Sequence, residues 1–277
     1  MIRSRRAAVL AMLCLATLHG AAGAQMVLLQ MHPRQGDTLR VRMEQESELV
    51  GVRRSPRGDV RTTMSTMLVV WSHAIVEGST PAASLVRTVT DSALVSSSNA
   101  AGGARGKPTH VPVGAEVKMR VMPNGTMELA DEGGDRHGDA DLAGLMPAAF
   151  PTGPVRPGES WTREMALPGV VGGAPAGVLR AVFRLDSLAR GAGLAYISMQ
   201  GEMRPMPAST GGAPGAPSLD SGSVTGMLVL DRKRGWLAES RFAIDATTTV
   251  SPPATVADGP LRFRMRVTQR VKTLSPH

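Results

Sequence analysis

The most regular pattern in the chain lies near its end. Leu261, Phe263, Met265 and Val267 alternate with Arg262, Arg264, Arg266 and Thr268. A strict period of two predicts a β-strand with one buried and one wetted face. The same alternation runs through Asp37 to Val50, where Leu39, Val41 and Met43 interleave with Arg40, Arg42 and Glu44. Val60 to Val76 ends in Leu68-Val69-Val70-Trp71. It predicts a central strand, apolar on both faces for part of its length. Ala82 to Ser96 predicts another strand. Val117 to Leu129 predicts a hairpin bent at Asn124-Gly125, the preferred type I′ pair.

A second series of strands follows at Trp161–Leu167, Val178–Leu188 and Gly193–Met203. Val224–Asp231 and Trp236–Val250 form a hairpin around Arg232-Lys233-Arg234-Gly235. Ser97–Gly114 and Arg204–Gly222 are rich in Gly, Pro, Ala and Ser and predict loops. Gln25 to Met31 predicts a short edge strand or an ordered arm. Asp37–Leu129 and Glu159–Val271 resemble each other in strand succession and hairpin glycine, Gly125 and Gly235, which suggests an internal repeat.

Between the two series the period changes. Asp139 or Asp141 offers an N-cap oxygen, and Leu142, Leu145, Met146 and Ala149 follow at helical spacing. Pro147 limits the helix, and Pro151, Pro154 and Pro157 hold the following segment extended. The expected class is mostly β: an antiparallel, strongly curved sheet or two β halves, with one short capping helix. The expected boundaries are residues 1–24, a signal peptide; 25–138, a first β-rich half; 139–160, helix and proline-rich connector; and 161–277, a second β-rich half.

The N-terminus carries the export pattern. Arg3, Arg5 and Arg6 precede the apolar run Ala7–Leu18, and Ala22-Gly23-Ala24 is a small-x-small cleavage site before Gln25. The expected route is the general secretory one, because Ala8 stands where a twin-arginine signal prefers a large apolar residue. The expected location is the periplasm or outside the cell. Cys14, the one cysteine, leaves with the signal, so the mature chain has neither disulfide nor thiol chemistry. No later apolar run is long enough for a transmembrane helix.

Charge adds little. Loss of Arg3, Arg5 and Arg6 takes the formal net charge from +8 to +5, spread along the chain. Aromatics are 3% of residues and no nucleic-acid motif is present, so nucleic acid is excluded as a partner. With 17 methionines, the core is built from Val, Leu, Ala and Met, and methionine also lines tolerant apolar pockets.

Candidate chemistry is sparse. Asp131, Glu132, Asp135, His137, Asp139 and Asp141 cluster, but their spacing departs from the twelve-residue calcium loop and Arg136 intrudes. A solvated acidic loop before a helix N-terminus is the plain alternative. Ser160 and Ser223 lack the glycine-framed elbow of a hydrolase nucleophile, and nothing ties His73 or His110 to them. No catalytic residue, metal site or cofactor is therefore expected. The arginine stripe Arg262, Arg264, Arg266 could contact an anionic surface, and Arg40, Arg42, Lys118 and Arg120 would extend it were their strands neighbours. A solvated outer face is the plainer account of such a stripe.

Residues 150–161, FPTGPVRPGESW, resemble a motif of an uncharacterised family of exported bacterial β-rich proteins, in which a Pro-Val-x-x-Gly-Asp/Glu-x-Trp segment follows a short helix between two β-rich halves. The resemblance implies architecture and address, and no activity. The function expected from the chain is binding or scaffolding in the cell envelope, with an apolar or lipid-like ligand held between sheet and helix. Leu142, Leu145, Met146, Phe150, Trp161 and Met265 are its candidate contacts. Envelope proteins are the other partner class. The rival expectations are a structural or protein-interaction module with a filled core, and a hydrolase with a non-standard site.

Overall fold

The computed structural model describes residues 26–53, 58–99, 106, 108–111, 114–130, 149–167, 177–189, 193–206, 217–250 and 259–274. Twelve strands occur among them: β1 (Thr38–Arg53), β2 (Val60–Ser79), β3 (Ser84–Asn99), β4 (Thr109–Val111), β5 (Glu116–Val121), β6 (Met127–Leu129), β7 (Ser160–Leu167), β8 (Gly177–Leu188), β9 (Leu194–Pro205), β10 (Pro217–Asp231), β11 (Trp236–Val250) and β12 (Leu261–Leu274). All belong to one sheet of order β6-β5-β3-β2-β1-β12-β11-β10-β9-β8-β7, with β4 paired to β3.

The two expected halves are thus two wings of one sheet. They join where β1 and β12 pair antiparallel from Arg40↔Leu274 to Arg53↔Leu261. These are the two segments with the cleanest alternation in the sequence, and their shared period of two lets fourteen consecutive pairs align without a bulge. Strands β6 and β7 stand at opposite ends of the order, and no ladder joins them among the described residues. The sheet is curled and is not a closed barrel.

The curl is fixed by what packs inside it. Val86 of β3 and Val121 of β5 share one buried cluster with Phe183 of β8 and Ile197 of β9, from opposite wings. Between them runs an N-terminal arm whose Val27, Leu29 and Met31 are buried while Met26 and Leu28 are exposed. Of the two forms expected at Gln25–Met31, an edge strand or an arm, residues 26–31 take the arm. Val27 exchanges two backbone hydrogen bonds with Val155, each 2.9 Å. Met31 N donates to Pro123 O at the β5–β6 turn, and His32 N donates to Gly235 O at the β10–β11 turn. The arm therefore ties both wings and the connector together and plugs one end of the curl.

Three expectations need correction or placement. The capping helix falls on residues 139–148, outside the described residues, and no helix occurs among those described. Phe150 itself is not helical; its N–H donates to Asn124 O at 2.9 Å. The hairpin bend is not type I′, because Gly125 (φ 89°) is its one positive-φ residue. Pro123 suits the first central position of a type I turn, closed by Gly125 N to Met122 O, and the glycine then takes the left-handed position. The loops are shorter than expected: β3 runs to Asn99, β4 lies within Ser97–Gly114, and β10 begins at Pro217 inside Arg204–Gly222.

Candidate functional site

Register decides which side chains share a face, because residues directly opposite in a ladder point the same way. Starting at the β7 edge, Met165 pairs with Leu179, and Leu179 with Met203. Met203 then pairs with Gly222, and Gly222 with Ala246. Ala246 pairs with Met265, Met265 with Leu49, and Leu49 with Met64. One apolar row with methionine at four positions thus crosses eight strands, on the face that also carries the buried Phe183, Phe242 and Ala74.

Burial changes along this row. Leu179, Met203 and Ala246 are in the core, but Met265 is 40% and Met64 43% exposed. Toward the arm the same face is closed. Phe242 lies over Gly226, where an added Cβ would come within 2.5 Å of its ring, and Trp161 stacks on Phe183 with ring centroids 5.9 Å apart. The inner face is therefore filled at the arm end and presents half-exposed methionines and Leu49 at the other. Flexible, polarizable methionine is suited to such an adaptable apolar surface. Between the two zones, Gln269 Nε2 donates to Gln45 Oε1 at 3.4 Å.

The candidate contacts divide accordingly. Phe150 is fully buried beneath Gly125, and Trp161 Nε1–H donates to Ala149 O at 2.8 Å. These two lie in the filled zone, where they fasten the connector to β7. Met265 lies in the exposed zone, separated from Trp161 by four strands. Leu142, Leu145 and Met146 lie outside the described residues. Leu49 and Met64 were missed by the sequence reading; their place beside Met265 depends on β1 meeting both β2 and β12, which no local pattern states.

The arginine stripe is on the opposite, outer face. Arg264 holds Asp245 in a fork, Nη2 to Oδ2 at 2.6 Å and Nε to Oδ1 at 3.0 Å, and Arg266 reaches the same carboxylate at 3.4 Å. The Arg264 hydrogen bonds keep the Asp245 carboxyl below the usual carboxylate range, against a smaller opposing effect of burial. Arg262 Nε is 3.9 Å from Asp220. Glu44 and Glu48 on β1 stand opposite Arg270 and Arg266 on β12, and Arg42 contacts both Glu44 and the Trp71 ring. The outer face is a mixed-charge ladder. Lys118 and Arg120 lie apart on β5.

A groove of about 640 Å³ crosses this outer face. Two adjacent outward rows wall it, Val69-Glu44-Arg270-Arg241-Met227 and Met67-Glu46-Thr268-Ala243-Thr225. Arg241 and Arg270 both bind Glu239, at 2.7 and 2.9 Å. Burial pushes the Glu239 carboxyl up, but the two guanidinium groups prevail and hold it below its ordinary value.

The serines considered for nucleophilic chemistry are scattered. Ser160 stands opposite Arg184, and Ser223 stands between Glu202 and Asp245. His73 is hydrogen-bonded to Asp91, the residue inserted at the β3 bulge, at 2.6 Å. His110 is on β4 opposite Leu94. The acidic cluster 131–141 lies outside the described residues. No helix among the described residues is long and apolar enough to cross a membrane.

No family model matches the chain, and no curated protein matches it. Solved structures do. A structure of lipid–protein interactions in lipovitellin matches at TM-score 0.50 and 8% identity, over 87% of this chain and 25% of that one. The chain thus spans a quarter of the length of that relative, and the likeness is one of fold. The outer membrane protein OprG from Pseudomonas aeruginosa matches at TM-score 0.25 and 7% identity, over 89% of this chain and 99% of that one. An outer membrane channel from Pseudomonas putida F1 matches at TM-score 0.26 and 11% identity, over 91% and 98%.

Proposed function

We propose that this is an exported, non-enzymatic cell-envelope protein that holds an apolar, lipid-like ligand against the inner face of its curled sheet. The observation that carries this reading is the row through Met265, Leu49 and Met64, continuous with the core yet half-exposed at one end. Apolar side chains gain from leaving water, about 25 cal/mol per Å². A long apolar chain laid along this row would cover the methionines. The export pattern at the N-terminus supports the address, and the fold shared with a lipovitellin structure concerned with lipid–protein interactions is compatible with a lipid-like ligand.

Native mass spectrometry of the mature protein purified from the periplasm, with solvent extraction of what travels with it, tests the proposal. A stoichiometric lipid-sized adduct is expected, and Met265→Asp should abolish it. An apo mass that stays unchanged after incubation with envelope lipids would remove the ligand reading.

The outer groove favours a second reading, a protein-interaction module. It combines exposed Met67 with paired charges at its walls, the composition of a docking surface with a polar rim. Cross-linking from Met67→Cys in the envelope should then capture a defined partner, whereas Met64→Cys should not.

A further inference from the structure

The inner face carries one charge where the ligand is proposed to lie. Three adjacent rows run from β7 to β3, headed by Trp161, Arg163 and Met165. Pairing carries the middle row from Arg163 through Ala181, Gly201 and Val224 to Ile244 and Val267. Among the described residues of these three rows, Arg163 is the sole charged side chain. Its alternative place on a wet strand would be the outer face, where Glu164 faces Arg180.

Arg163 is also incompletely used. One terminal nitrogen donates to Phe150 O at 2.5 Å, while Nε is buried and has no partner. No carboxylate pairs with it among the described residues. A guanidinium presents five donors in a fixed fork and remains charged at any physiological pH. A buried donor left unmade is costly, and an isolated cation on an apolar face more so. A ligand anion would satisfy both.

Resting on the ligand reading above, we infer that the ligand is an amphipath whose anionic headgroup, a carboxylate or phosphate, is received by Arg163 at the β7 edge. Its apolar chain then runs along the neighbouring row toward Met265 on β12, and on the way it must displace the groups that cover the buried Leu179, Met203 and Ala246. That path crosses five strand spacings, about 24 Å along the sheet at roughly 4.8 Å each, a span suited to a long acyl chain. The headgroup lies beside the filled zone made by Phe150 and Trp161, and the chain end meets the half-exposed methionines.

The test uses displacement of Nile red, a neutral apolar probe, from the full mature protein. The competitors are oleic acid, 1-oleoyl lysophosphatidic acid and oleyl alcohol, which share one chain and differ in headgroup. The wild type should bind an anionic competitor about tenfold more tightly than the alcohol, the scale of one charge-assisted contact. Arg163→Gln should bring the anions down to the affinity of the alcohol, and Arg163→Lys should retain part of the preference. Comparison of the acid with the phosphate identifies the headgroup. Equal binding of alcohol and anions by wild type overturns the inference but not the ligand reading. Parallel loss of all three competitors in the Gln variant, with early melting, assigns Arg163 to holding Phe150 alone. Should that variant not fold, wild type decides: its preference for oleate must vanish as low pH protonates the carboxylate. If nothing displaces the probe, the ligand reading itself fails.

Discussion

Phe150 fills the space that a side chain at Gly125 would need. A Cβ built on Gly125 would lie 3.2 Å from the Phe150 ring, and Gly125 has φ +89°. The contact joins the β5–β6 turn to the connector that leads to β7, across the one gap in the sheet order. Gly125→Ala meets two costs: a left-handed backbone, about 1 kcal/mol, and a ring that must yield. We expect a loss of about 1–3 kcal/mol in urea unfolding, the range for overpacking a core. Phe150→Ala should cost about 3–5 kcal/mol, as for a fully buried aromatic. A change within error for both would mean the gap is held by other contacts.

A second closure depends on Gly235. An added Cβ would come within 2.3 Å of His32 O, on the arm that buries Val27, Leu29 and Met31. Gly235 O also accepts the His32 N–H at 2.8 Å. No small adjustment accommodates both, so Gly235→Ala should release the arm. Limited proteolysis should then cut within residues 26–36 under conditions that leave wild type intact. If cutting appears first elsewhere, the arm is not the element that this glycine holds.

Much of this was legible in the sequence, and the reason is local. Leu261 to Thr268 and Leu39 to Glu44 carry a strict period of two, which fixes strand type and face without reference to any neighbour. Gln25 to Met31 left an edge strand and an arm equally open, and it is the burial of Val27, Leu29 and Met31 that makes it an arm. What could not be read is long-range. The pairing of Leu49 with both Met64 and Met265 joins positions far apart in the chain, and a ladder partner leaves no trace in composition. The same limit hid Asp245 and Asp220, which make the Arg262–Arg266 stripe a mixed-charge ladder. Asn124-Gly125 misled about turn type because Pro123, one residue earlier, shifts the bend.

Asp245 makes stability fall in acid. Its folded pKa lies below the ordinary carboxylate value, chiefly through the Arg264 hydrogen bonds. Its contribution is therefore fully present above the unfolded value, about 4, and is lost as pH falls through the folded one. Glu239, held low by Arg241 and Arg270, acts in the same direction. In Asp245→Asn the decline of the unfolding midpoint between about pH 5 and pH 2 should be shallower than in wild type. An identical pH profile would show that this fork adds nothing in solution.

Met265 and Phe242 share one face, yet their substitution should do opposite things. Phe242 is 9% exposed and covers Gly226, so Phe242→Ala opens a cavity and should cost about 3–5 kcal/mol. Met265 is 40% exposed, so folding alone leaves a large share of its area in water. Met265→Ala should therefore cost under about 1 kcal/mol, as at other partly exposed sites. Its effect should appear in binding instead, as weaker retention of an apolar probe by a protein of near wild-type stability. The pair of measurements separates a ligand surface from a filled core. If Met265→Ala destabilises as strongly as Phe242→Ala and leaves probe binding unchanged, that end of the sheet is packed, and a structural module is the better account. If stability holds and binding falls, the methionines stay half-exposed because the ligand is what buries them.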